Sequence, residues 1–244
     1  MLKKLLLWVL LVSPLAGIAQ TWKITSLDWP PFSGKNLPEG GAGIAVLRAA
    51  LKAEGIDLQV EFYPWTRAIV TSKKDASYAG FYPSWPEDVP ADYTPSVVLF
   101  ESPVGLVEPV DKPLRWNKLE DLAGKSIGTV QDYGNTPEFM ALVNSGAIRT
   151  QIAINDLTNV RKVAAGRMDA AFIDLNNLDY FLRHEAKDIA HKVQANKKAI
   201  GNKQLVLAIN NKFNDQRAAA ILKSGVAKIN PDKIIKDYMD MHMR

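Results

Sequence analysis

Asp174 closes an apolar segment, Ala170-Ala171-Phe172-Ile173, and stands where the next helical pattern, Leu175-Asn176-Asn177-Leu178, begins. A turn through Gly166, Arg167 and Asp169 leads into that segment, which reads as a buried strand ending in a carboxylate. In open α/β sheets ligands bind outside the carboxyl ends of strands, so this group is well placed to meet one. The same residue can equally serve as the N-cap of the helix that follows, a role Ser or Asn would fill as well.

The second chemistry-bearing group is aromatic. Trp29, Phe32, Tyr63, Trp65, Phe81, Tyr82, Trp85 and Tyr93 fall in loops or at strand ends, several beside Pro in WPPF, YPW, FYP and SWP. Aromatic faces joined by a few polar groups line small-molecule sites. Half of the set would simply cover a sheet edge, and Trp29, Phe32, Trp65 and Tyr82 are the four expected at a site.

Other motifs carry less. Residues 124–128, GKSIG, match the nucleophile-elbow pattern, but that elbow needs a strand before the Ser and a helix after it. Here a helical LEDLAG precedes Ser126 and the strand SIGTV follows, so the segment reads as a turn into a strand. GGAGIAV lacks a full GxGxxG and a leading strand, which leaves a loop before a helix. His184, His191 and His242 have no metal-ligand spacing and there is no Cys, so neither a metal nor a cofactor is expected.

The elements that must position these groups alternate. WKITSL, DLQVEFYP and DASYAGFYP read as strands, separated by helices over 43–55 and WTRAIVTSKK. After an extended stretch at 96–109 and a turn at Asp111-Lys112-Pro113 the pattern restarts. SIGTV, TQIAIN and AAFID are strands, TPEFMALVNSG and LTNVRKVAAG helices, and another helix is expected over 175–187. KQLVLAIN returns as a strand before two terminal helices. Such alternation predicts an α/β fold with mostly parallel sheets flanked by helices. The restart predicts two lobes, the extended stretches at 96–109 and 203–210 being the crossings of a double hinge. A weak echo, KKDASYAG against GRMDAAFID, sets Gly80 of the first lobe at the position of Asp174 in the second.

Bulk properties narrow the function classes. Met1-Leu2-Lys3-Lys4, an apolar run to Leu15 and small residues to Ala19 describe a cleavable signal peptide over 1–19, hence export to the periplasm without a lipid anchor. Losing Lys3 and Lys4 lowers the formal charge from +4 to about +2, and the charges are scattered, which argues against a nucleic-acid partner. The expected organisation is 20–108 plus 204–244 as lobe 1 and 109–203 as lobe 2, in a monomer.

AAGRMDAAFID, DWPPFSG, GAGIAVLRAAL and LEDLAGKSIGTVQDYGNTPEF occur in the order found in periplasmic solute-binding proteins of ABC importers, and the chain resembles their polar amino-acid branch. The resemblance implies a two-lobed type II periplasmic-binding fold that closes on a small solute, with an inner-membrane permease or a membrane sensor as partner. By it, Asp174 receives the ligand ammonium, Trp29 or Phe32 stacks on the ligand, and Asn135 and Thr136 bind its carboxylate at a helix N-terminus, where anions are favoured. One feature departs from that family. The Arg that clamps the carboxylate is missing, for no Lys or Arg occurs from Ala76 to Asp111. Arg67 is the expected substitute. The competing expectation is a ligand that is not an α-amino acid, a cation or flat apolar solute met by aromatic faces with Glu87, Asp88 and Asp92 nearby. Functionally, a solute binder is expected. The alternatives are a cyclohexadienyl dehydratase-like enzyme, with Asp174 or Glu87 as acid, and a solute-sensing accessory protein.

Overall fold

The computed structural model describes residues 20–213 and 215–243, and the expected signal peptide lies outside them. Three short apolar strands, β1 (Gln20–Ser26), β2 (Ile56–Phe62) and β3 (Tyr78–Ser84), pair in parallel in the order β2-β1-β3. Helices α1 (Ala42–Lys52) and α2 (Trp65–Lys74) make the crossovers. Ile44, Leu47 and Leu51 recur at helical spacing on α1 and are fully buried against the sheet. Gly43 is required on this helix because a Cβ there would stand 1.8 Å from the Tyr82 hydroxyl.

The second lobe repeats the first. β6 (Ser126–Val130), β7 (Arg149–Ala153) and β8 (Ala170–Asp174) are parallel in the order β7-β6-β8, after β4 (Tyr93–Pro95) and β5 (Phe100–Pro109). α3 (Pro137–Asn144) and α4 (Asp156–Ala164) are the crossovers, capped by the side chains of Thr136 and Asn155. α5 is short, Leu175–Tyr180, and passes into a π-helical turn over Phe181–Glu185 instead of running on to 187. Asp169 accepts the backbone N–H of Ser126 at 2.8 Å, so the acidic turn before β8 ties down the start of β6.

Between the lobes run β5 and β10 (Gly201–Asn210), paired antiparallel with Phe100 opposite Leu205 and Val104 opposite Gly201. The far half of β10 joins β3 and β4, and the far half of β5 joins β8 and β9 (Val193–Ala195). The terminal helices α6 (Ala218–Ala227) and α7 (Pro231–His242) return to the first lobe, where a Cβ on Gly225 would meet the Ala50 carbonyl oxygen at 2.2 Å. Gly80 differs from its expected place at a strand end. β3 continues four residues past it to Ser84, and Gly80 is mid-strand because a Cβ would lie 1.9 Å from the Ala208 carbonyl oxygen. No helix among the described residues is long and apolar enough to cross a membrane.

Every parallel strand except β3, whose continuation carries Trp85, hands over to a loop or helix start at its carboxyl end that faces the interlobe cleft. Trp29 follows β1, Trp65 follows β2, Asp132 to Asn135 follow β6, Asp156 follows β7 and Asp174 ends β8.

Candidate functional site

The cleft holds two adjoining chambers that share the walls Trp29, Trp85, Tyr133 and Gly134. The outer one has a volume of about 100 Å³ and is mostly apolar, lined by Leu27, Trp65, Ile69 and Phe81 and by the exposed Asp88 and Asp132. The inner one, about 30 Å³, is bounded by Asn135, Asp156, Phe172 and Asp174.

The first-lobe wall is built by a tight turn. Trp29 and Ser33 exchange backbone hydrogen bonds of 2.7 and 3.1 Å, and Trp29, Phe32 and Phe100 form a ladder with ring centres 5.1 Å apart at each step. Phe32 thus supports Trp29 from behind and lines neither chamber. Trp65 opens α2 and meets Phe81 and Tyr133 edge-on at 5.5 and 6.1 Å. Trp85 stands 6.3 Å from Phe172 across the cleft.

The second-lobe wall supplies carboxylates. Asp174, 6% exposed, accepts the N–H groups of Asn176 and Asn177 at 2.9 and 3.0 Å, so it caps α5 and lines the inner chamber at once. Burial raises its pKa to about 6 against the hydrogen bonds from Ser102, Asn177 and Asn176. Asp156, 4% exposed, is raised further, to about 7, by burial and then by the charge of Asp174. Hydrogen bonds from the Tyr133 hydroxyl and the Trp29 indole oppose that rise. Both groups carry a desolvation penalty that only neutral donors offset within the described residues lining the chamber.

The lobes are already in contact. The Trp65 indole N–H donates to the Asp132 carbonyl at 2.9 Å and the Thr66 hydroxyl to its carboxylate at 2.5 Å. Asp132 holds both with its backbone in the left-handed region, φ +60°, which costs a non-glycine residue strain. Asn177 donates to the Pro30 carbonyl from the other lobe. Lys203 on β10 pairs with Glu87 and lies 4.4 Å over the Trp85 ring.

Of the residues expected from sequence, Trp29, Trp65, Asn135 and Asp174 line the chambers. Thr136 is buried and accepts the Phe139 N–H as the cap of α3. Tyr82 is fully buried against α1, its hydroxyl without a hydrogen-bond partner among the described residues, and lines neither chamber. Arg67 is exposed and stacks on the Tyr63 ring at 4.8 Å, likewise outside both linings. Sequence reasoning missed Tyr133 and Asp156 and left Trp85 out of its four site aromatics. The strand-end rule applied to β7, as it was to β8, would have found Asp156.

No family model and no curated protein sequence matches the chain. Solved structures do. The GluR0 ligand-binding core from Nostoc punctiforme, in complex with L-glutamate, is 16% identical with a TM-score of 0.68 over 90% of this chain and 98% of that one. The periplasmic VFT2 domain of Bordetella pertussis BvgS is 18% identical, with a TM-score of 0.72 over 89% and 93%. An ancestral amino acid-binding protein, AncCDT-1, a precursor of cyclohexadienyl dehydratase, is 18% identical, with a TM-score of 0.68 over 92% and 96%. With its repeated α/β lobes and two crossing strands, the chain has the two-lobed type II fold of periplasmic binding proteins.

Proposed function

We propose that the protein is a periplasmic solute-binding protein that closes its two lobes, 20–108 with 204–244 and 109–203, on a small polar solute. The solute is an amino acid or a related amine, and delivery is to an ABC importer in the inner membrane. The observation that carries this reading is the inner chamber, where Asp156 and Asp174 from one lobe face Trp29 and Trp85 from the other. Asp174 receives the ammonium, Trp29 and Trp65 wall the ligand, and Asn135 offers a polar contact at the start of α3. The protein is purified and denatured, and the released small molecules are identified by mass spectrometry. An unaltered nitrogenous solute in one-to-one amount supports the reading, and rebinding of that solute by calorimetry completes it.

A second reading is favoured by Asp156, whose carboxyl, raised by burial to about 7, is poised to exchange a proton with a substrate near neutral pH. That reading makes the protein a dehydratase on the same scaffold. Turnover of prephenate or arogenate that disappears in Asp156→Asn would establish it, and no turnover would dismiss it.

A further inference from the structure

The binding reading leaves the ligand open between amino acids and amines, and the distribution of charge around the cleft narrows that choice. Among the described residues, no Lys, Arg or His lines either chamber. Lys203 is engaged by Glu87 and Arg67 by the Tyr63 ring. The start of α3 offers a carboxylate little. Pro137 has no N–H, and the Phe139 N–H is taken by Thr136. An α-amino acid with its ammonium at Asp174 carries its own carboxylate on the adjoining carbon, in a chamber whose lining holds both Asp156 and Asp174. Like charges there would repel with little solvent to screen them.

The structure therefore points to an aliphatic amine without a carboxylate as the ligand class, a refinement that rests on the binding reading above. We infer that a primary ammonium sits in the inner chamber between Asp156 and Asp174, with its hydrocarbon body among Trp29, Trp85 and Tyr133. Size agrees. A cavity of roughly 10–15 Å³ holds one water, so 30 Å³ suits an ammonium head. The cation supplies the partner that two buried carboxylates lack, and ring faces attract it further. The apolar outer chamber then holds the alkyl chain, and the exposed Asp88 and Asp132 in its lining offer carboxylates to the far ammonium of a diamine.

Calorimetry on the purified protein at pH 7.5 tests this with two matched pairs, 1,5-diaminopentane against L-lysine and 1,4-diaminobutane against L-ornithine. The members of each pair differ only in the α-carboxylate. The diamines are expected to bind at least about tenfold more tightly. Equal or tighter binding of the carboxylated members overturns the amine assignment and leaves the solute-binding reading standing. The assignment also fails while that reading stands if the diamines do not bind but another L-amino acid does. If neither the four compounds nor a panel of ordinary L-amino acids binds, and no solute is released on denaturation, both fail. Asp156→Asn should weaken diamine binding by about tenfold while near-ultraviolet dichroism stays native. Because the matched pairs are compared on the unaltered protein, the outcome does not hinge on a variant folding.

Discussion

Asp156 follows β7 and Asp174 ends β8, strands kept apart by β6, yet both side chains line one chamber of about 30 Å³. Their helices explain the convergence. Asp174 is the N-cap of α5 and Asp156 the first residue of α4, and both helices start at the same end of the sheet. The two roles of Asp174 can be separated. Asn at this position still accepts the N–H groups of Asn176 and Asn177, whereas Ala cannot. Asp174→Asn should keep stability while losing ligand affinity, and Asp174→Ala should lose about 1 kcal/mol as well, seen in denaturant midpoints.

The raised carboxylates make stability and binding respond to pH in opposite directions. Between the unfolded Asp pKa near 4 and the folded values of about 6 and about 7, the folded state binds more protons than the unfolded one. Stability of the ligand-free protein should therefore fall as pH rises across this window, giving a higher melting temperature at pH 5 than at pH 8. Glu61, held down to about 2 by Lys23, Tyr63 and Tyr78, acts oppositely but only below about pH 4.5. A cationic ligand needs both carboxylates ionised, so its affinity should rise with pH through 6 to 7. Calorimetry near pH 6.5 in buffers of different ionisation heat should detect proton release.

Arg67 and Trp65 stand two residues apart on α2 and should behave differently. Arg67→Ala removes only a stack on Tyr63, so affinity should change by less than about twofold. Trp65→Ala removes a wall of the outer chamber and the hydrogen bond to Asp132, and should cost about tenfold. A large loss in Arg67→Ala would restore it as a carboxylate clamp.

Thr66→Val tests the contact between the lobes. It deletes the hydroxyl that donates to Asp132 at an exposed position, worth about 1 kcal/mol, and should weaken binding several-fold. Small-angle scattering should show a more open ligand-free form.

Gly80→Ala should destabilise the fold by about 2 kcal/mol or more, because the added carbon meets backbone that cannot swing away. Binding by the fraction that remains folded should be unchanged. A normal melting temperature would contradict the close approach of β3 and β10.

The alternation of strands and helices was legible because each strand is a short apolar run and each helix is amphipathic. Asp174 was legible for the same reason, as a charged residue ending such a run. Asp156 was hidden because Asn155-Asp156 resembles an ordinary cap followed by an acidic first turn, and its burial comes from Tyr133 and Trp29, which are distant in sequence. Tyr82 misled in the opposite direction. It sits beside Pro83 like the site aromatics, but alternation along β3 turns its ring toward α1, where Gly43 makes room. Gly80 gave a false echo of Asp174 because a missing side chain reads alike whether a ligand or a backbone fills the space.

Five tryptophans lie among the described residues, and three of them, Trp29, Trp65 and Trp85, wall the cleft. Most of the described indoles therefore stand at the site itself, and one of them already donates to Asp132. An entering solute would change the polarity and quenching felt by most of the fluorophores together. The cleft is its own optical reporter, and a titration without any label can follow occupancy.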